Sequence, residues 1–487
     1  MLNTVSFSGK PFHFIGIGGI GMSALAYVLA KRKLPVSGSD LRESDITKRL
    51  QDLGAHIFGS QDASNLDFFQ TNPVAPSDRA VGMEEGTSNF LDPGRLATNW
   101  PQVVFSTAID SSNSEYRAAM DLGCPIFHRS DLLAALMQDY QSIAVSGTHG
   151  KTTTSSLIGY LLLSASLDPT IVIGGEVDAW SGNARYGQGA YLVAEADESD
   201  GTLVKLSPVV GVITNIELDH PDHYSTLNQV VETFQVFSQR CQSLVGSIDC
   251  VIVREHIQPK ISYSLEVSAD ADYRVDEVEY GAYGMKARVW ERDKILGPLS
   301  LRLLGKHNLS NALAAVAVGR LLGLDFSTIA AALSGFVGAK RRFEVYSVGS
   351  DISIVDDYAH HPSEIRATLA SARLQASSRR VVAIFQPHRY SRTQAFLSEF
   401  AQSFERADLV VITDIYSAGE PNLGKISGQN LASEIAKYHQ HVHYQPRLTD
   451  LPEFLLQILR PGDMALFMGA GNANQAISEV SRILSAS

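Results

Sequence analysis

The run Val145-Ser146-Gly147-Thr148-His149-Gly150-Lys151-Thr152-Thr153-Thr154 has the residue types of a loop that holds the phosphates of ATP. It follows the apolar stretch Ile143 to Val145 and precedes Leu157 to Leu163, which sets it at a strand-to-helix turn. There, glycines let backbone N–H groups converge on an anion, and the helix N-terminus adds about half a positive charge. Lys151 is expected to reach the outer phosphates and the Thr152 hydroxyl to bind magnesium. The usual first glycine of such a loop falls at Val145, so the match is carried by Gly147, Gly150, Lys151 and Thr152, with Thr148, His149 and Thr153 completing the cradle. A plain glycine turn before a helix needs neither a lysine nor a hydroxyl triplet.

A second glycine loop, Gly16-Ile17-Gly18-Gly19-Ile20-Gly21, follows the first strand-like run and opens the helical stretch Met22 to Lys31. Gly16, Gly18 and Gly21 fit the dinucleotide fingerprint, and Asp40 ends the next strand at a spacing suited to a ribose hydroxyl. Such a fingerprint reports only a diphosphate at a helix N-terminus. A nicotinamide or flavin dinucleotide and a UDP-sugar both supply one. The separate ATP loop tilts the choice, since a simple dehydrogenase has no use for it.

Polar clusters recur where strands end. Ala190 to Glu195 runs into Ala196-Asp197-Glu198-Ser199-Asp200, which puts four carboxylates, Glu195 first, at a C-terminal strand edge where magnesium would find hard oxygens. The next strand, Val209 to Thr214, delivers Asn215-Ile216-Glu217-Leu218-Asp219-His220 to the same edge, where His220 either binds a metal, orients a phosphate or sits in a solvated loop. Asn308 and Asn311 precede an alanine-rich helix and either contact a base or cap it. Arg341 and Arg342 are placed to swing over transferring phosphates, or form an ordinary surface pair. Asp356 to Pro362 ends a strand and starts a helix. Its paired His360 and His361 lack a cysteine or third histidine at ligand spacing, which weighs against zinc. His388, Arg389 and Arg392 follow another strand, with arginines suited to a carboxylate or phosphate, or to a plain turn. His128 and Arg129 suit a sugar nucleotide and a surface turn equally.

The elements that must position these groups alternate. Strand-like runs at Phe12 to Ile17, Val103 to Ser106, Ile143 to Val145, Ala190 to Glu195, Val209 to Thr214, Ile352 to Val355, Val381 to Phe385, Leu409 to Thr413 and Met464 to Met468 are separated by helical patterns. This predicts an α/β protein of parallel sheets covered by helices. Breaks near 140 and 345 divide it into three domains, 1–140, 141–345 and 346–487. Residues 72–99, rich in Pro, Gly, Asn and Asp, read as a mobile surface insertion. A net charge of -12 argues against a non-specific nucleic-acid binder. Three cysteines without motif spacing fit a reducing compartment, and the run Phe12 to Ile20 is too short and glycine-rich to span a membrane or act as a signal. The chain reads as cytoplasmic.

Taken in order, these blocks resemble the Mur ligases of peptidoglycan synthesis, over nearly the whole chain apart from 72–99. Gly16 to Met22, Asp356 to Pro362 and Phe385 to Thr393 are most similar to the alanine-adding branch. The resemblance implies a Rossmann-like N-terminal domain for a UDP-sugar, a central P-loop ATPase-type domain and a Rossmann-like C-terminal domain that contributes to ATP and amino-acid binding. It implies ATP and Mg²⁺ as cofactors, UDP-N-acetylmuramate and L-alanine as substrates, and attack of the lactyl carboxylate on ATP to give an acyl phosphate. By the same likeness Lys151, His220 and Arg342 are catalytic. Gly147 to Thr153, Asn308, Asn311 and Asp357 hold the nucleotide, and Thr152 and Glu195 hold the metal. Gly16, Gly18, Gly19, Gly21, Met22, Asp40, His388, Arg389 and Arg392 hold the substrates. One departure stands out: several members carry a carbamylated lysine shortly after the histidine loop, and residues 222–240 here contain no lysine. The alternatives are a sister ligase that attaches a recovered tripeptide, a nicotinamide-dependent oxidoreductase, and a non-catalytic nucleotide-binding switch.

Overall fold

The computed structural model describes residues 4–71, 100–348 and 351–486. The insertion read at 72–99 lies outside the described residues. Three sheets follow one another along the chain, with helices packed on them. The first has five parallel strands in the spatial order His56–Phe58, Val36–Ser39, Phe12–Ile15, Gln102–Phe105, Ile126–His128. Phe12–Ile15 is buried at every position, as a central parallel strand covered on both faces must be. The strand order reverses beside it, and in open α/β sheets the crevice above the strands' C-terminal ends at such a point is where ligands bind. The Gly16 to Gly21 loop sits there, leading into the helix Ile20–Lys31.

The second sheet has ten strands. Its parallel part places Gln141–Ser146 between Val210–Ile213 and Tyr191–Glu195, so the phosphate loop, the acid cluster and the histidine loop all leave the sheet side by side. Both edges depart from the expected all-parallel pattern: Gly182–Arg185 runs antiparallel to Thr170–Val177 at one, and at the other Tyr273–Gly281, Gly284–Glu291 and Lys294–Leu301 form an antiparallel meander. One face of these strands is solvated, so charged residues such as Arg274, Asp276 and Arg288 alternate with buried Val275, Ala287 and Val289 and dilute the apolar signal. The third sheet has six strands, five of them parallel, and its C-terminal strand ends carry Asp357, Phe385 and Met468.

Packing joins the parts. A contiguous apolar cluster runs from Phe14 and Leu25 through Leu133 and Leu203 to Phe234, so the first sheet's helices and the second sheet share a core. The third sheet has apolar clusters on both faces, and Leu218 of the histidine loop packs against one of them. In the segment joining second and third sheets, Arg341 and Phe343 both take left-handed backbone conformations, with φ of 57° and 56°. This costs on the order of 1 kcal/mol each for side chains bearing Cβ and turns Arg341 and Arg342 in different directions. Among the described residues, no helix is long and apolar enough to cross a membrane.

Candidate active site

The phosphate loop folds as its sequence requires. Gly147 has φ 135° and Gly150, the N-cap of helix Lys151–Ser164, has φ 81°. A Cβ on Gly147 would lie 2.0 Å from Thr214 Oγ1, and one on Gly150 2.6 Å from Asn311 Oδ1, so both positions need glycine for space as well as for φ. The loop is pinned from the neighbouring strand: His149 N–H donates to Asn215 Oδ1 at 2.9 Å, and Thr214 Oγ1 and Asn215 Nδ2 donate to His149 O at 2.6 and 3.0 Å. Lys151 Nζ donates to Gly147 O at 2.7 Å and to both oxygens of Glu198 at 2.9 Å. Burial alone would lower the lysine pKa, but Glu198, with Asp197 and Glu195 behind it, outweighs that and raises it, so Lys151 is a fixed cation. Glu198 itself is pushed up to about 7 by burial, against the pull of Lys151. The acid cluster was legible, but nothing in its spacing singled out Glu198 as the lysine's partner.

Thr152 and Glu195 meet. Thr152 Oγ1 donates to Glu195 Oε2 at 2.9 Å, Gly174 N–H reaches the same oxygen at 2.8 Å, and Arg342 Nη2 donates to Thr152 Oγ1 at 3.2 Å. A hydroxyl and a carboxylate at this spacing are hard oxygen donors that fit Mg²⁺. Arg342 therefore reaches from the segment entering the third sheet to the phosphate loop, whereas Arg341 turns away to donate to Gly469 O at 2.7 Å. Both guanidinium groups pack over the ring of Tyr358. Asp357 ties this segment down: it accepts from Phe343 N–H at 2.8 Å, Ala359 N–H at 2.9 Å and Thr368 Oγ1 at 3.0 Å, and burial pushes its carboxyl up to about 6. A cavity of about 790 Å³ opens among His149, Gly150, Asn308, Asn311, Arg342 and Asp357. The two asparagines do not cap their helix. Gly305 is the N-cap, Asn311 Nδ2 donates to Asn308 Oδ1 at 3.2 Å, and both side chains are buried at the cavity wall.

His220 has a left-handed φ of 54° beside Asp219, and burial lowers its pKa, which keeps the ring neutral. Arg392, read from its type as a carboxylate or phosphate binder, is committed to protein. It is 2% exposed and grips Asp219 with two bonds, Nε to Oδ1 at 2.8 Å and Nη2 to Oδ2 at 3.1 Å. Its Nη1 lies 3.2 Å from His388 Nδ1, and His388 is pushed down to about 2 by burial. Arg389 is more open and pairs with Asp222 at 2.5 Å. Spacing could not show a cluster that folding brings together, His149, Glu217 and His361, whose ligating atoms lie within 4.8 Å of one another. Ser363 N–H donates to His361 Nδ1 at 3.3 Å in a helix capping box, so that lone pair is in use.

At the first sheet, Gly18 N–H donates to Asp40 Oδ2 at 2.9 Å, and a Cβ on Gly18 would come within 2.7 Å of that atom. Asp40 Oδ1 accepts from Arg42 N–H at 3.0 Å, so the acid shapes the glycine loop directly. Gly16, Gly19 and Gly21 line up around the same turn, and the Met22 side chain is 3% exposed and packed in the apolar core, which leaves its backbone at the start of the helix as the part that faces the loop. Arg129, which suited a surface turn as well as a ligand, pairs with Asp197 of the acid cluster at 3.0 Å and brings the helix Arg129–Met137 to the same crevice.

Comparison with known proteins matches this architecture along the whole chain. Residues 11–141 match the model described as Mur ligase family, catalytic domain. Residues 145–319 match the Mur ligase middle domain, and 341–471 match the Mur ligase, glutamate ligase domain. A curated relative from Nostoc punctiforme named UDP-N-acetylmuramate--L-alanine ligase is 64% identical over 481 residues, covering 99% of this chain and 98% of its own. Among solved structures, the UDP-N-acetylmuramate-alanine ligase of Thermotoga maritima superimposes with a TM-score of 0.79 at 27% identity, covering 98% of this chain and 100% of that one. A murein peptide ligase from Psychrobacter arcticus shares the fold, with a TM-score of 0.69 at 21% identity, over 98% of this chain and 99% of its own.

Proposed function

The chain belongs to the Mur ligase family, and from that premise we propose that it joins L-alanine to the lactyl carboxylate of UDP-N-acetylmuramate, with cleavage of ATP to ADP and phosphate, as a cytoplasmic step of peptidoglycan precursor synthesis. The full-length likeness to the alanine-adding ligase carries this reading. The murein peptide ligase of Psychrobacter arcticus shares the fold at 21% identity, which speaks to architecture alone.

The geometry supports an acyl-phosphate route. A carboxylate oxygen attacks the γ-phosphorus of ATP, the bond from that phosphorus to the β,γ-bridging oxygen breaks, and ADP leaves. The amine nitrogen of alanine then adds to the acyl carbon, and the tetrahedral intermediate expels phosphate together with the oxygen that came from the carboxylate. The difficulty is anion meeting anion: each pair of unit charges at 4 Å costs about 4 kcal/mol in a partly dry site. Lys151 and Arg342 answer it with fixed positive charge on either side of Thr152. Mg²⁺, held by Thr152 and Glu195, would add Lewis-acid stabilisation of the transferring phosphoryl group. Asn308, Asn311 and Asp357 line the cavity suited to the nucleoside, and the glycine loop with Asp40 and Arg129 frames the crevice suited to the UDP-sugar. His388 and Arg389 are assigned to the amine's side of the site by the family resemblance, and Arg392 acts through Asp219 to hold the histidine loop.

The test is phosphate release from ATP and Mg²⁺ with UDP-N-acetylmuramate, comparing L-alanine, the recovered tripeptide and no amine. Release that requires both sugar nucleotide and L-alanine supports the assignment. Release with tripeptide alone moves it to the sister enzyme.

A further inference from the structure

The paired histidines of Asp356 to Pro362 and the histidine inside the phosphate loop are brought together by folding. His149 lies two residues before Lys151, with its ring only 15% exposed, between two carboxylates: its Nδ1 is 3.1 Å from Glu364 Oε1 and its Nε2 is 3.5 Å from Glu217 Oε2. Glu364 belongs to the first turn of the third sheet's helix Pro362–Ala376, and its other oxygen accepts from the backbone N–H groups of His360 and His361 at 2.9 and 3.2 Å. Ser363 Oγ donates to Glu217 Oε2 at 2.7 Å, and the His361 ring sits 4.8 Å from that of His149. Burial works to discharge His149, but Glu217 and Glu364 outweigh it and push the ring up to about 10, so it is an imidazolium with a carboxylate on each side. The same residue's peptide group is fixed on both sides by Thr214 and Asn215.

We propose that His149 is a positioning residue through which the docked C-terminal domain sets the shape of the phosphate loop. Its backbone is part of the ATP cradle, and its side chain is held by the first helical turn of the domain that also delivers Arg342 and Asp357. Docking of that helix and ordering of the loop are therefore one event, and ATP binds tightly only when Glu364 is in place. The two carboxylates hold the ring in a single orientation, and with it the φ of 81° at Gly150. The capping box at His361 keeps Glu364 aimed at the loop, which gives the second histidine of the pair a structural task of its own.

The inference rests on the ATP-dependent reading above, and calorimetry with ATP and Mg²⁺ alone, on the full chain, keeps the two separable. His149→Gln and Glu364→Gln are each expected to weaken ATP about tenfold, since each removes one hydrogen bond between charged groups. The double variant is expected to weaken it no further than His149→Gln alone, because that change already removes the contact that Glu364→Gln breaks. Affinity for UDP-N-acetylmuramate should stay within about twofold, since neither residue touches the glycine loop and Asp40 of the first sheet. ATP affinity unchanged in either single variant, or a double variant equal to the product of the two single effects, overturns the proposal. Should His149→Gln or Glu364→Gln fail to fold, Glu364→Asp takes their place: it keeps the charge and withdraws the carboxylate by one methylene, and unaltered ATP affinity there is equally fatal. A wild type that shows the coupling but does not join alanine keeps the positioning role and loses the ligase assignment. A working ligase with independent effects does the reverse.

Discussion

Asp219→Asn tests whether the C-terminal domain must stay docked for the chemistry to proceed. The substitution keeps the size of the side chain and removes its charge. In the native protein the Arg392 guanidinium, 2% exposed, meets Asp219, 5% exposed, through bonds of 2.8 and 3.1 Å, and its remaining partner is neutral His388 at 3.2 Å. Removing the carboxylate leaves a buried cation without its counter-ion, a change that costs about 3–5 kcal/mol. Because the pair bridges the histidine loop of the second sheet and the arginine loop of the third, that loss falls on docking and not on the stability of either domain. At about 1.4 kcal/mol per factor of ten, the docked population falls by roughly a hundredfold to several thousandfold relative to the undocked one. Steady-state phosphate release should show kcat/KM for ATP reduced by about a hundredfold or more, with the far-ultraviolet melting curve of the domains little changed. Replacing both partners by apolar residues, Asp219→Leu with Arg392→Met, should recover part of the loss, since no buried charge is then left unpaired. Activity of Asp219→Asn within about threefold of wild type would show that the pair does not hold the loops together.

Lys151→Ala should abolish phosphate release while calorimetry still shows UDP-N-acetylmuramate binding, and near-normal release by the variant would overturn the lysine's role. Thr152→Val removes one oxygen of the pair 2.9 Å apart and Glu195→Gln removes the charge of the other, so each should raise the Mg²⁺ concentration for half-maximal activity by about tenfold. An unchanged Mg²⁺ titration would remove these residues from the metal site. Stability should peak near neutral pH. The His149 pKa rises from 6.5 to about 10 on folding, so its contribution is full below pH 6.5 and is lost as pH climbs toward 10. His360 is pushed from 6.5 down to about 4 by burial, so its contribution is present above pH 6.5 and is lost as pH falls toward 4. Thermal melts across this range should show an alkaline limb in wild type that flattens in His149→Gln, and an identical limb in the variant would contradict the ion-pair assignment.

The features legible in the sequence are those whose chemistry lies in consecutive residues. A glycine loop between a strand and a helix dictates its own geometry, which is why Gly147 to Thr152 and Gly16 to Gly21 could be placed before any sheet was known. The strands Val381–Phe385 and Met464–Met468 were equally plain, being short apolar runs buried on both faces. Contacts set by tertiary packing were not legible. Arg392 and Asp219 are 173 residues apart, and His149 and Glu364 are 215 apart. An arginine in a turn looks the same in sequence whether it awaits a ligand or is already paired. Met22 shows the converse: its place beside a glycine loop says nothing of where its side chain goes, and folding turns that side chain into the core. The meander at 273–301 was missed because its half-solvated strands interleave charged and apolar residues, so no continuous apolar run marks them.

Whether ATP activates the lactyl carboxylate as an acyl phosphate before the amine attacks can be read by oxygen tracing. UDP-N-acetylmuramate carrying ¹⁸O in its lactyl carboxylate is turned over with ATP, Mg²⁺ and L-alanine, and the inorganic phosphate is analysed by mass spectrometry. One labelled oxygen transferred to each phosphate is the predicted result, since the oxygen that attacks phosphorus leaves with it. Phosphate free of label, with alanine nonetheless joined to the sugar nucleotide, would contradict the account.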